Sequence, residues 1–228
     1  SHRHCTSLED RWHGRHGSQV TPVLAAVYEE LVARADAPPH ADTTRPMVRG
    51  FLERTGRLPA DHPHAPFRLA AAWEDTLCRD GIAARIAAEL EDPSERDLAV
   101  LLSRAHRGVF RFETVGERRV VHDLWSGASF LLVPRDDIGR AVSGDNLGSL
   151  CIGRVAGAAD GCVFLPGALF QEPEATVFIE AVLKASAERE VRDDTVFESL
   201  LHMDFVLRTM SRPRPEYAYR VEVLGAKG

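Results

Sequence analysis

The sequence predicts an α+β protein: a helical N-terminal half, then a small antiparallel β-barrel-like module, then two C-terminal helices and a last strand. Three observations predict this order. Apolar residues recur at helical spacing up to about residue 105, alternate along β-branched and aromatic stretches over 108–170, and return to helical spacing from residue 172. The chain has 228 residues, 44% of them hydrophobic and 27% charged, which is typical of a globular core that is stable without disulfides or metals.

Helix-start signals and turn residues delimit the elements of the first half. Thr21-Pro22 is typical of an N-cap followed by proline at the first helical position, and apolar residues follow at helical spacing. The residues from Asp92 to Glu95 match a capping box. The predicted helices cover about 21–35, 47–55, 67–77, 82–90 and 93–105, and Pro-rich connections cover 36–46 and 56–66.

Glycine turns separate five short strands in the middle of the chain. Turn signals occur at Gly116, at Ser126-Gly127 and between Gly157 and Gly161. Five short strands within about 60 residues favour a small barrel or a strongly bent sheet. The predicted strands cover 109–115, 118–125, 128–133, 149–155 and 162–170.

The C-terminal part returns to helical spacing and then to alternation. Helices are predicted over 172–189 and 194–210, and the Arg-Pro-Arg-Pro run at 212–215 ends the second. The alternating residues 217–224 predict the last strand. Three regions follow: a flexible polar arm over 1–19, a helical region over 20–106, and the β-module with the C-terminal helices over 107–228. No Gly/Ser-rich linker separates the last two, so we expect them to share one core.

Charge, cysteines and missing motifs exclude several classes of function. The net charge is 28 − 34 = −6, which argues against a bulk phosphate-binding surface. The four cysteines form no CxxC pair, which favours a reducing compartment and predicts a cytoplasmic protein. No segment has the length of apolar sequence that a membrane span needs. Dinucleotide-binding, P-loop, nucleophile-elbow, HExxH and EF-hand motifs are absent from the sequence, so no catalytic residue is assigned.

The strand-rich stretch carries a loose motif of turn glycines and strand residues over about 108–170. It consists of Asp123, Leu124, Gly127, Gly144, Asp145, Arg154, Val155, Gly161 and Gly167. This stretch resembles a segment of uncharacterised bacterial proteins that also carry a SEC-C metal-binding motif. The SEC-C motif itself, a tight Cys/His cluster, is absent here. The resemblance implies a compact β-module in a helical context and assigns a structural turn role to Asp123, Gly127, Gly144 and Asp145.

Histidines and one cysteine near the N-terminus form the first candidate metal site. His13 and His16 are spaced i, i+3 and would share one helix face. His4 and Cys5 would complete a tetrahedral zinc set, because zinc accepts imidazole and thiolate ligands. The alternative is a polar arm without a metal. A second candidate is the pair His62 and His64 beside Asp61, for which the alternative is a solvated loop.

The first predicted hairpin offers a candidate nucleic-acid surface. Arg111, Arg118 and Arg119 lie close in sequence to Phe110 and Phe112, and small β-barrels are common platforms for nucleic acids. The alternative places both phenylalanines in the core, because they alternate with Arg111.

The leading hypothesis is a non-enzymatic bacterial cytoplasmic protein with a regulatory or scaffolding role. It would act through protein–protein contacts with another protein or with a second copy of the chain, because amphipathic helices offer such contact faces. One alternative is a zinc-binding protein that uses the N-terminal His/Cys cluster. The other is a nucleic-acid-binding small β-barrel. No other cofactor is expected.

Overall fold

The computed structural model describes residues 20–133, 149–158 and 161–224, and it confirms the predicted α+β class. The described helices are α1 (Val20–Ala35), α2 (Ala41–Thr55), α3 (Ala65–Cys78), α4 (Ile82–Ala87), α5 (Pro93–Ser103), α6 (Thr176–Glu188), α7 (Asp193–Thr209) and α8 (Pro215–Ala218). The described strands are β1 (His106–Val115), β2 (Arg118–Asp123), β3 (Ser129–Leu132), β4 (Leu150–Ala158), β5 (Gly161–Phe164) and β6 (Leu169–Phe170).

Five of these strands close into a barrel. The order around the ring is β1-β2-β3-β5-β4, the pairing of β4 with β1 closes it, and β6 adds to β4. The prediction of an antiparallel barrel is wrong at one pairing, because β3 and β5 run parallel with Leu132 opposite Cys162. A closed ring with an odd number of strands cannot alternate direction all the way round, so one neighbouring pair has to be parallel.

Phenylalanines fill the barrel. Phe110 and Phe112 of β1 are buried there with Phe164 of β5, and the ring of Phe110 lies edge-on to that of Phe164 at 5.3 Å. Phe170 stacks on Phe112 with ring centroids 5.6 Å apart. The alternation along β1 therefore places its aromatic residues inside the barrel.

Helices from both halves of the sequence cover the outside of β1 and β4. Val109 of β1 and Ile152 of β4 belong to one buried cluster with Phe51 of α2, Ile179 of α6 and Leu200 of α7. A second buried cluster joins α1, α4 and α5 to the outer faces of β4 and β5. The core therefore crosses the boundary between the helical region and the β-module.

The prediction of a last strand over 217–224 is wrong. This segment contains the end of α8 and a 3-10 turn, Val221–Val223. Ala218 and Tyr219 are buried against α7, and the Tyr219 hydroxyl donates to Gln171 Oε1 at 2.6 Å. Pro215 has no N–H for a strand ladder and instead lies at the start of α8.

Helix α2 begins at Ala41, earlier than the predicted residue 47. Ala41 and Thr44 are buried, and the Thr44 hydroxyl donates to the carbonyl of Ala35 at 2.5 Å. Pro46 lies inside the helix, where proline is unfavourable. The packing of the first turn is strong enough to compensate for this cost.

Candidate functional site

A groove of about 920 Å³ lies where the ends of α3 and α5 meet β1, β4 and the start of α7. We call it the arginine groove. Charged side chains dominate its lining. Its charged residues are Arg79, Arg104, Arg107, Arg154, Arg192, Asp75, Asp80, Asp193 and Asp194, and its other residues are Cys78, Ser103, Ala105, His106 and Phe197.

Two arginines form the floor of the arginine groove. Arg107 of β1 and Arg154 of β4 lie directly opposite each other in the β1–β4 ladder. Like charges in this position repel each other. The buried carboxylate of Asp75 offsets the repulsion, because its Oδ1 accepts from Arg107 Nη1 at 3.0 Å and from Arg154 Nη2 at 3.1 Å. Its Oδ2 accepts from Arg79 Nη2 at 2.9 Å, so one carboxylate contacts three guanidinium groups.

Further contacts fix the orientation of Arg107. Its guanidinium group lies 4.5 Å from the centre of the Phe197 ring, and its Nη2 donates to Asp194 Oδ1 at 2.5 Å. Burial and the neighbouring charge of Arg154 lower the pKa of Arg107 below its ordinary value. Burial alone would raise the pKa of Asp194, but the hydrogen bond and charge of Arg107 hold it below its ordinary value. The two arginines of the floor thus lie close together, and hydrogen bonds to carboxylates hold each of them.

Two other arginines lie at the rim. Arg104 follows α5 and Arg192 precedes α7, and both are exposed. Within the described part of the chain, neither guanidinium group forms a hydrogen bond or an ion pair. By contrast, Asp193 accepts from the Trp125 indole N–H at 3.0 Å. The rim therefore presents arginine donors without an acceptor from the described residues.

A buried carboxyl group lies behind the floor. Glu74 borders a cavity of about 20 Å³, enough for one water molecule, which Arg107 and Arg154 also line. Glu74 Oε1 accepts from the Gly167 backbone N–H at 2.6 Å and from the Tyr28 hydroxyl at 3.4 Å. Burial raises the pKa of Glu74 to about 7, although the Gly167 hydrogen bond and the charge of Arg154 act in the opposite direction.

Serine, histidine and aspartate meet beside the groove, but not as a catalytic relay. Asp123 Oδ2 is 2.8 Å from His106 Nε2 and accepts from the Ser126 hydroxyl at 2.5 Å. A relay needs the serine and the aspartate on different nitrogens of the imidazole. Here the same Nε2 faces both groups, at 3.5 Å from Ser126 Oγ.

Asp123 makes the contacts of a turn-capping residue. Its Oδ1 accepts from the backbone N–H groups of Val109 at 3.0 Å and Trp125 at 3.1 Å. Gly127 follows with φ +77° and donates its N–H to the Asp123 carbonyl at 2.9 Å. Gly144 and Asp145, the other residues assigned to this turn motif, lie outside the described residues.

The three hairpin arginines do not combine with aromatic residues on the surface. Arg111 forms an ion pair with Glu180 of α6. Arg118 and Arg119 are exposed at the β1–β2 turn. Because Phe110 and Phe112 are inside the barrel, this hairpin lacks the exposed stacking rings on which single-stranded nucleic acids are bound.

The predicted metal ligands divide into two groups. His4, Cys5, His13 and His16 lie outside the described residues. His64 Nε2 accepts from Arg208 Nη1 at 2.9 Å, and His62 Nδ1 accepts from the His64 backbone N–H at 3.2 Å. In the ranges that the structure describes, no three His, Cys, Asp or Glu side chains are grouped so that they could hold a metal ion.

The cysteine in the groove is not an activated nucleophile. Burial raises the pKa of the Cys78 thiol above its ordinary value, and burial raises that of Cys162 to about 12. A thiol nucleophile needs the opposite shift, because the thiolate is the reactive form.

Sequence analysis did not find the arginine groove. Its central residues Asp75, Arg107, Arg154 and Asp194 lie in four different elements and match no motif. One signal was available, since Glu74 and Asp75 interrupt the otherwise apolar run of α3.

Comparisons of the chain with protein-family models, curated proteins and solved structures found no match. Among the described residues, no helix has both the length and the apolar character needed to cross a membrane. The interpretation of the groove therefore rests on its own contacts and charges.

Proposed function

We propose that this chain is a non-enzymatic regulatory or scaffolding protein that binds a partner protein, and that the arginine groove binds an acidic segment of that partner. The observation that carries the proposal is the pair Arg104 and Arg192. These exposed guanidinium groups come from residues that flank two different helices, and they border a floor that already holds Arg107 and Arg154. Guanidinium groups pair with carboxylates through two parallel hydrogen bonds, which gives both strength and geometric specificity.

The charges that line the groove favour an anionic ligand. Three of the four acidic side chains in the lining already accept hydrogen bonds within the fold: Asp75 and Asp194 from floor arginines, and Asp193 from Trp125. The rim arginines donate no hydrogen bond to an acceptor among the described residues, although the charge of Arg192 acts on Asp194. An added carboxylate would therefore meet donors that the fold itself does not use.

The composition of the lining favours a polypeptide segment over a small molecule. Small-molecule pockets are lined mainly by apolar and aromatic side chains with a few polar groups. Here two aromatic rings line the described groove: Phe197, which Arg107 already covers, and His106, which packs against Phe130 with ring centroids 4.9 Å apart. A nucleic acid is the weaker ligand for the same reason, because both rings already pack against other side chains of the fold.

The compartment belongs to the same proposal. Cys78, Cys151 and Cys162 carry thiols rather than disulfides. Thiols of this kind persist in reducing compartments, which supports the bacterial cytoplasm as the site of action.

The test is fluorescence anisotropy with labelled hexaglutamate, labelled hexalysine and a labelled oligo-dT at low and high salt. Wild-type protein is expected to bind hexaglutamate and not hexalysine, with an affinity that falls as salt rises. The double variant Arg104→Ala/Arg192→Ala is expected to lose at least about tenfold in affinity, since two charge-assisted contacts disappear.

The matched control is Arg118→Ala/Arg119→Ala, which removes the same charge from the hairpin. It should leave hexaglutamate binding unchanged. Equal loss in both double variants would show nonspecific attraction and refute the proposal. Binding of oligo-dT that is lost only in the hairpin variant would instead favour the nucleic-acid alternative.

A further inference from the structure

The position of Glu74 connects a buried acid to the charge of the arginine groove. Arg154 lines both the groove and the small cavity, and Glu74 lines the same cavity. On the groove side, Arg154 donates to Asp75 Oδ1 at 3.1 Å and to the Ala105 carbonyl at 3.2 Å. The cavity leaves Glu74 without a direct hydrogen bond to Arg154, so their interaction is through charge alone.

We propose that protonation of Glu74 controls how strongly the groove binds an acidic segment. With Glu74 neutral, the three arginines Arg79, Arg107 and Arg154 face the two aspartates Asp75 and Asp194, so one positive charge is in excess in this group of described residues. With Glu74 ionised, a second negative charge opposes Arg154 from the rear and the groove attracts an anion less strongly. This inference rests on the proposed function, since it concerns regulation of the same site.

The surroundings of Glu74 permit ionisation near neutral pH. Burial raises its pKa to about 7. The groups that face it are the Tyr28 hydroxyl from α1, Asp75 and Cys78 from α3, Arg107 from β1, Arg154 from β4 and the Gly167 N–H. Burial and the Glu74 charge raise the pKa of Tyr28 far above its ordinary value, and burial raises that of Cys78. Neither group therefore titrates with Glu74 near pH 7.

Linkage fixes the direction of the effect. A ligand that binds more tightly when Glu74 is protonated must in turn raise the pKa of Glu74 when it binds. Couplings of this kind amount to at least about fivefold in affinity. We therefore expect affinity for hexaglutamate to fall by about fivefold or more between pH 6.0 and 8.5, a range in which the probe itself stays ionised.

The first experiment needs no ligand. Carbon-detected NMR of the Glu74 carboxyl and nitrogen-detected NMR of the Arg154 side chain are followed from pH 5.5 to 8.5. The expected result is one shared midpoint near pH 7, absent for Arg154 in Glu74→Gln. An Arg154 signal that does not move, or that moves equally in Glu74→Gln, would overturn the proposal.

The second experiment measures hexaglutamate affinity at both pH values in wild type, Glu74→Gln and His106→Gln. His106 is the one histidine that lines the described groove, so its variant is the control. The proposal requires the pH dependence to vanish in Glu74→Gln and to persist in His106→Gln. If binding by Glu74→Gln depends on pH as strongly as binding by wild type, the regulation by Glu74 is refuted and the proposed function is not. If wild type binds at neither pH, the proposed function is refuted and this regulation with it.

Discussion

Arg107 and Arg154 face each other across the β1–β4 ladder, and a single oxygen of Asp75 lies 3.0 Å from one guanidinium group and 3.1 Å from the other. This arrangement places helix α3 against the outside of the barrel. It also means that the floor of the arginine groove depends on one carboxylate from another element.

Replacement of Asp75 by asparagine tests this dependence. Asp75→Asn keeps the side-chain shape but removes the carboxylate that Arg107 and Arg154 share, which leaves Arg107 with Asp194 and the largely buried Arg154 without a hydrogen-bonded counter-ion. The free energy of unfolding should therefore fall by about 3 kcal/mol. Urea unfolding measures the change. Asp80→Asn, at an exposed aspartate of the same groove, should change stability by less than about 0.5 kcal/mol. Equal effects of the two substitutions would show that Asp75 does not have this role.

The raised pKa of Glu74 predicts a pH-dependent stability. The folded-state pKa is about 7 against an ordinary value of 4.5, so between these values the folded protein holds a proton that the unfolded chain has lost. The free energy of unfolding should therefore fall by about 3 kcal/mol as pH rises from 4.5 to 7 and then level off. Glu74→Gln should lack this decline, as measured by urea unfolding at a series of pH values. A variant that declines in parallel with wild type would disprove the assignment.

The buried ion pair between Arg68 of α3 and Asp204 of α7 predicts a large loss of stability when it is broken. Asp204 Oδ2 accepts from Arg68 Nη2 at 2.5 Å, its Oδ1 accepts from Arg208 Nε at 3.0 Å, and Arg68 and Asp204 are fully buried. Asp204→Asn leaves the Arg68 charge buried without compensation and should cost about 3–5 kcal/mol. Glu30→Gln breaks the exposed Arg34–Glu30 pair and should cost about 0.5 kcal/mol or less. Thermal unfolding of both variants compares the buried ion pair with the exposed one. Similar melting temperatures for the two variants would contradict the account.

Alanine substitutions at Gly167 and Gly50 are expected to change the stability of the fold in opposite directions. A Cβ at Gly167 would lie 2.5 Å from the Ala71 backbone in α3 and 2.8 Å from Glu74 Oε2, so Gly167→Ala should destabilise the fold by about 1–3 kcal/mol. Gly50 lies inside α2, where the closest atom to an added Cβ is the end of the Arg54 side chain at 3.2 Å. Gly50→Ala should stabilise the protein by about 0.5–1 kcal/mol. Differential scanning calorimetry measures the change in melting temperature for both variants. A Gly167→Ala variant as stable as wild type would show that α3 does not pack closely against this turn.

The sequence predicted elements well where local chemistry decides them. The Asp92 side chain accepts from the Ser94 N–H at 2.8 Å, as its capping pattern predicts. Alternation and turn glycines located the five barrel strands. The prediction of a last strand was wrong because residues 217–224 bury the consecutive side chains of Ala218 and Tyr219 in the helical core instead of pairing with a strand.

The arginine groove was beyond prediction from the sequence for a different reason. Asp75 and Arg154 are far apart in the chain, and the opposition of Arg107 and Arg154 depends on the register of β1 against β4. Register is a tertiary property, set here by the cores on the two faces of the barrel wall. Hairpin arginines were more conspicuous in the sequence because they are neighbours along the chain.

The most direct measurement of the central claim is a map of where an acidic segment binds. Labelled protein is titrated with unlabelled hexaglutamate, and shifts of backbone amide and arginine side-chain signals are recorded by NMR. The account predicts shifts that saturate together at residues 103–107, at Arg154 and at 192–194, with Arg104 and Arg192 side chains among the largest. Shifts confined to the hairpin around Arg118 and Arg119, or no shifts at saturating peptide, would contradict it.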